Sequence, residues 1–137
     1  MKLRIMDNSF RFRVTLEELE KLRSEGNVDC SSAAGDLGQG AVAFRYGLQA
    51  APTAVRSELQ LSPFSIRVTL CQSDVESLSQ PAQEGIQIRN EWTEPDGTVR
   101  RSIILVEKDR PAAKCDKPEE WIYRAGKGGE PEARKIR

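Results

Sequence analysis

Lys2, Arg4, Arg11, Arg13, Arg45, Arg67 and Arg89 are the residues of this chain whose type and spacing could do chemistry. Each falls in the polar phase of a segment that alternates polar with apolar side chains. That period is the period of a strand with one buried face, so the cations are expected together on the sheet face away from the core. Guanidinium groups suit planar, bidentate contacts with oxyanions. The chemistry implied is an anion site for a phosphate, a polyphosphate or a nucleic-acid backbone. The competing reading is a solvated face on which Arg stems cover sheet surface. If Asp7-Asn8 forms a tight turn, Arg4 stands opposite Arg11. Like charges so placed cost stability unless an anion lies between them, and Glu58 and Glu91 are the internal candidates.

Other chemistry has few carriers. The chain has no histidine, which removes Ser-His-Asp and Cys-His machinery and the commonest metal ligand. Cys30, Cys71 and Cys115 are far apart with no Cys-x-x-Cys, so no catalytic residue, metal site or cofactor is expected. An odd number of cysteines points to reduced thiols in a cytoplasm. Cys71 reads as a small buried apolar residue and Cys115 as an exposed, reactive thiol. Gly35-x-x-Gly38-x-Gly40 precedes a strand rather than a helix and lacks a following Gly-Lys-[Ser/Thr], so it reads as a loop. Lys plus Arg and Asp plus Glu both number 21, and no global field steers the chain to nucleic acid or membrane. Neither a signal peptide nor an apolar run long enough to span a bilayer is present.

The elements that must position these residues come in two related sets. Phe10-Arg-Phe-Arg-Val-Thr15 and Phe64-Ser-Ile-Arg-Val-Thr69 share a pattern, each preceded by an alternating apolar pair, Leu3-x-Ile5 and Leu59-x-Leu61. The first set reads as a hairpin about Asp7-Asn8, with a single bulged strand as the alternative. Thr15-Leu-Glu-Glu18 is a capping box that starts a helix with Leu16, Leu19 and Leu22 as its buried stripe, Glu17 and Lys21 paired on the wet side, and Gly26 as its end. Val28 to Ser31 is a short strand, 33–40 a loop and Ala41 to Leu48 a strand. The second set predicts a hairpin about Ser62-Pro63, a helix capped by Ser73 with Glu76, and a last hairpin, Ile86 to Trp92 and Val99 to Val106, turned by Glu-Pro-Asp-Gly97.

The expected fold is α+β: a predominantly antiparallel, curved or barrel-like sheet of seven to eight strands with two helices, built from two related hairpin–helix units. Residues 1–109 form one domain with halves 1–50 and 57–109. Residues 110–137 form a charged, Pro/Gly-rich tail, in which Trp121, Ile122 and Tyr123 either cap the domain or anchor a protein partner. The core is assigned to Leu3, Ile5, Phe10, Phe12, Val14, Leu19, Leu22, Phe44, Tyr46, Phe64, Ile66, Val68, Ile88, Ile104 and Val106. Free sheet edges suit a homodimer.

Met-Lys-Leu-Arg-Ile…Asn8-Ser9-Phe-Arg-Phe-Arg-Val-Thr…Glu and Ile-Leu-Val-Glu-Lys-Asp109 resemble a family of short bacterial proteins catalogued as a domain of unknown function, over residues 1 to about 109. The resemblance implies a small bacterial cytoplasmic protein and carries over no active site. A closed sheet with inward arginines would look like the triphosphate-tunnel proteins. Their Glu-x-Glu-x-Lys strand has no counterpart in Lys2-Leu-Arg-Ile-Met6, however, which disfavours triphosphate hydrolysis. Three functions follow in order: a non-enzymatic binding or accessory protein, an anion, polyphosphate or nucleic-acid binder through the arginine face, and a metal-dependent phosphoester hydrolase.

Overall fold

Asp7-Asn8 is the tight turn that the first hairpin needs. Asp7 takes the left-handed conformation (φ 50°) between β1 (Lys2–Met6) and β2 (Ser9–Val14). Leu3 then opposes Phe12, and Ile5 opposes Phe10. The structure, a computed structural model, describes residues 1–36 and 41–109. Cys115, Trp121, Ile122, Tyr123 and the rest of the tail, together with the centre of the glycine loop, lie outside the described residues.

Helix α1 (Leu16–Glu25) starts at the expected box: the Thr15 hydroxyl accepts from the Glu18 N–H, and the Glu18 carboxylate accepts from the Thr15 N–H. Gly26 ends it at φ 83°, a conformation glycine adopts without strain. Leu19 and Leu22 are buried, but Leu16 is 58% exposed and is not part of the stripe. Lys21 pairs with Glu25, not Glu17. Strand β3 (Asn27–Asp36) is longer than Val28 to Ser31, because it pairs with β4 (Ala41–Ala51) well beyond Ser31.

The second hairpin, β5 (Glu58–Ser62) and β6 (Ser65–Cys71), turns at Pro63-Phe64 rather than Ser62-Pro63. Phe64 carries the positive φ (61°) and is 60% exposed, so it is a turn residue and not core. Helix α2 (Gln72–Ser79) has Cys71 as its N-cap, with no side-chain cap bond from that residue. Ser73 is therefore inside the helix and forms no box with Glu76. The reason is β6, which continues past Thr69 because Leu70 and Cys71 pair with Ala50 and Ala51 of β4. Strands β7 (Gly85–Thr93) and β8 (Val99–Lys108) complete the chain. The Gly97 N–H donates to the Glu94 carbonyl at their turn (2.9 Å), with Gly97 at φ 86°.

The expected single sheet is instead two mixed four-stranded sheets, ordered β1-β2-β8-β7 and β3-β4-β6-β5, and neither closes. In each, two antiparallel hairpins join through a central parallel pair, β2 with β8 and β4 with β6. Each hairpin supplies its own local ladder. The parallel seams join segments far apart in sequence, and nothing local announces them. Both sheets and both helices share one apolar core around Phe12, Val14, Leu22, Leu48, Val68, Leu70, Leu78, Ile104 and Val106. Burying each such side chain contributes roughly 1.5–3 kcal/mol. Leu3, Phe10, Phe44 and Tyr46 pack partly buried against that core, while Ile5 at a strand end is 49% exposed.

Candidate anion site

Period two and the observed registers divide the seven predicted cations. Lys2 and Arg4 on β1, Arg11 and Arg13 on β2 and Arg89 on β7 stand on the outer face of the first sheet. Arg45 on β4 and Arg67 on β6 stand on the outer face of the second. The single arginine face read from the sequence is therefore two faces, since alternation fixes phase within a strand but not the sheet to which that strand belongs.

On the first sheet, Arg4 is directly opposite Arg11 and Lys2 is opposite Arg13. Lys2, Leu3, Arg4, Arg11 and Arg13 line a pocket of about 170 Å³. The carboxylates nearby are neither Glu58 nor Glu91. Glu58 lies on the other sheet, opposite Thr69, and Glu91 takes Arg101 at 2.7 Å. Instead the parallel seam brings Glu107 beside Arg13. Its two oxygens lie 3.5 Å from Arg11 Nε and 3.4 Å from Arg13 Nε. Asp109 pairs with Lys2 at 2.7 Å, and that bond holds its carboxyl below the ordinary value. Among the described residues Arg4 has no ion pair or hydrogen bond. Arg89 is served by the Gln87 amide, whose oxygen, once turned toward it, accepts from Nε at 2.8 Å.

On the second sheet the charge of Arg67 is met within its own row. Arg67 donates from Nη2 to Asp29 Oδ1 (3.0 Å) and from Nη1 to Gln49 Oε1 (3.3 Å). Arg45 has no carboxylate partner among the described residues and faces Ser65 and Ser31 across its ladders.

Among the described residues no three His, Cys, Asp or Glu side chains gather where they could hold a metal ion. The chain belongs to a family of unknown function (DUF7009), whose model matches residues 1–120. The DUF7009 match thus takes in the whole described fold and the first part of the segment read as a charged, Pro/Gly-rich tail. No curated protein and no solved structure matches it. None of the helices in the described residues is long and apolar enough to cross a membrane.

Two polar contacts that sequence reasoning missed, Ser57 with Cys71 and Asp74 and Met1 with Glu18, sit beside the helix starts of this DUF7009 fold. The Ser57 hydroxyl accepts from the Cys71 N–H (2.8 Å), donates to Asp74 and meets Cys71 Sγ at 3.4 Å. Ser57, and after it Ser73, hold the Cys71 thiol below its ordinary pKa, yet Cys71 is 5% exposed and closed to a substrate. At α1 the Met1 amine donates to Glu18. Burial alone would push that amine down, but Glu18 outweighs it and the amine rises above its ordinary value. Burial would likewise raise Glu18, but its bonds with the amine and Thr15 prevail and lower it. A roomier groove of about 630 Å³ between α1 and α2 offers one arginine, Arg23, already paired with Glu20 at 3.0 Å.

Proposed function

We propose that the chain is a non-enzymatic binding protein that takes an anionic ligand on the outer face of its first sheet, at the row of Arg4 and Arg11. One contrast carries this reading. The row Arg4–Arg11–Leu105–Gln87 holds two cations and no carboxylate, whereas the matching row Gln60–Arg67–Gly47–Asp29 of the second sheet is balanced within itself. Opposed like charges destabilise a ladder, and an external anion offsets that cost. Inorganic phosphate, a polyphosphate and a nucleic-acid backbone all supply the oxygens that guanidinium forks accept.

We also read residues 1–109 as one domain made of two related halves, 1–50 and 57–109. Equivalent backbone bonds support this. The Asn8 carbonyl accepts from Ile103 (2.9 Å) as the Phe64 carbonyl does from Arg45 (2.8 Å), and the Gly26 carbonyl accepts from Ala50 as the Glu84 carbonyl does from Lys108, both at 2.8 Å. On this reading the two rows descend from one position, with Arg11 answering to Arg67 and Arg4 to Gln60.

Thermal unfolding against phosphate, triphosphate, sulfate and short RNA at matched ionic strength tests the function. A ligand at a hundred times its Kd adds about 2.7 kcal/mol, which raises the midpoint by roughly 5–15 °C. The expected result is a selective rise that the Arg11→Ala/Arg13→Ala double variant loses. A flat panel, or a rise indifferent to that variant, rejects the proposal.

A further inference from the structure

Resting on the anion-binding reading, we infer that the ligand is a compact, multiply charged oxyanion of the phosphate class, held by the guanidinium groups of Arg4, Arg11 and Arg13, and not a single-stranded nucleic acid. The pocket these residues line is about 170 Å³, enough to seat a phosphoryl group. Along β1 and β2 its surroundings give an extended polyanion no further unpaired cation in either direction. Successive outward rows are roughly 6.6–6.8 Å apart. One row beyond Arg4 and Arg11, Glu107 lies against Arg13 and Asp109 holds Lys2 at 2.7 Å. One row the other way stand Met6, Ser9, Ile103 and, two strands from Ser9, Arg89; Met6 is 60% and Ile103 39% exposed, and Arg89 is served by the Gln87 amide.

The face also lacks what single strands use. Base stacking on aromatic side chains supplies much of that affinity. The aromatic residues of these strands, Phe10, Phe12 and Trp92, all fall in the opposite phase from Arg11, Arg13 and Arg89. The guanidinium ends are instead well placed for a small oxyanion. Arg11 and Arg13 approach Glu107 with Nε at 3.5 and 3.4 Å, and a guanidinium carries five N–H donors, so each keeps donors for an anion beside the unpartnered Arg4.

Calorimetric titration at constant ionic strength tests this with inorganic phosphate, pyrophosphate, glycerol phosphate and single-stranded RNA of two lengths. The three phosphates separate a free ion from a phosphomonoester. Saturable binding of at least one is expected, with RNA weaker and no tighter for the longer strand. Arg4→Gln should weaken phosphate binding about ten- to a hundredfold. Arg4→Lys, which keeps the charge and loses the fork, should also weaken it, and Arg45→Gln should leave it unchanged. RNA that binds more tightly with length and depends on Arg4, with the phosphates silent, overturns the compact ligand while sparing the anion-binding reading. No binding by any probe, or binding that Arg4→Gln and Arg4→Lys leave untouched, overturns both.

Discussion

Arg67 and Asp29 are joined across the second sheet by a 3.0 Å bond, with Gly47 between them in the ladder. Gly47 is what leaves the row open. A Cβ there would collide with Asp29 Oδ1 and come within 2.7 Å of the Val28 carbonyl oxygen. The first sheet has Leu105 at the matching place and Gln87 where Asp29 would be, so its two arginines have no such bond to make. The same strand order therefore carries one row that is complete and one that is not.

Gly47→Ala should accordingly destabilise the fold by about 1–3 kcal/mol, the usual cost of forcing an extra group into a closed space. Chemical denaturation followed by circular dichroism measures it. Asp29→Ala alone should cost less, about 0–1 kcal/mol, because the pair it breaks is half exposed.

Acid should loosen the protein through Glu18. Its folded pKa lies below the ordinary 4.5, so the stability it contributes is fully present above that value and is lost as the pH falls through the lowered one. The Met1 amine runs the other way: its folded pKa lies above 8.0, and its share is lost as the pH rises through the raised value. Denaturation midpoints measured across pH should show both losses in the native chain. Glu18→Gln should flatten the acid limb and cost about 0–1 kcal/mol at neutral pH through the lost ion pair with the Met1 amine, since the Gln oxygen still accepts from the Thr15 N–H.

Ser57→Ala should cost about 1–3 kcal/mol, since the buried Cys71 N–H and Asp74 both lose a partner. It should also raise the Cys71 pKa, because the Ser57 hydroxyl is the main influence holding it down. Thiol labelling checks the geometry. In the folded chain Cys30, partly exposed, should label well before buried Cys71, and unfolding should bring Cys71 to a similar rate.

Much of this was legible in the residues because it is local. Asp7-Asn8, Thr15 with Glu18, Gly26 and Glu94 to Gly97 each specify a turn or cap within a few positions, and each forms as read. Phe64 misled because a phenylalanine in the alternating phase looks like core, although it follows Pro63 into a turn. The parallel seams were invisible, since no local pattern pairs Phe12 with Val106 or Leu48 with Val68. Two errors at the site follow from that one gap. Arg45 and Arg67 were placed with Arg11, and Glu107 was overlooked as the carboxylate beside Arg11 and Arg13. The opposition of Arg4 and Arg11 needed only the hairpin, and it stands.

Arginine Nε–Hε resonances followed by NMR during a phosphate titration at fixed ionic strength test the central claim most directly. Arg4, Arg11 and Arg13 should shift together and saturate at one dissociation constant, with Arg45 and Arg67 unmoved. Small, unsaturable shifts spread over all the arginines would contradict the account and leave the first sheet with a solvated face.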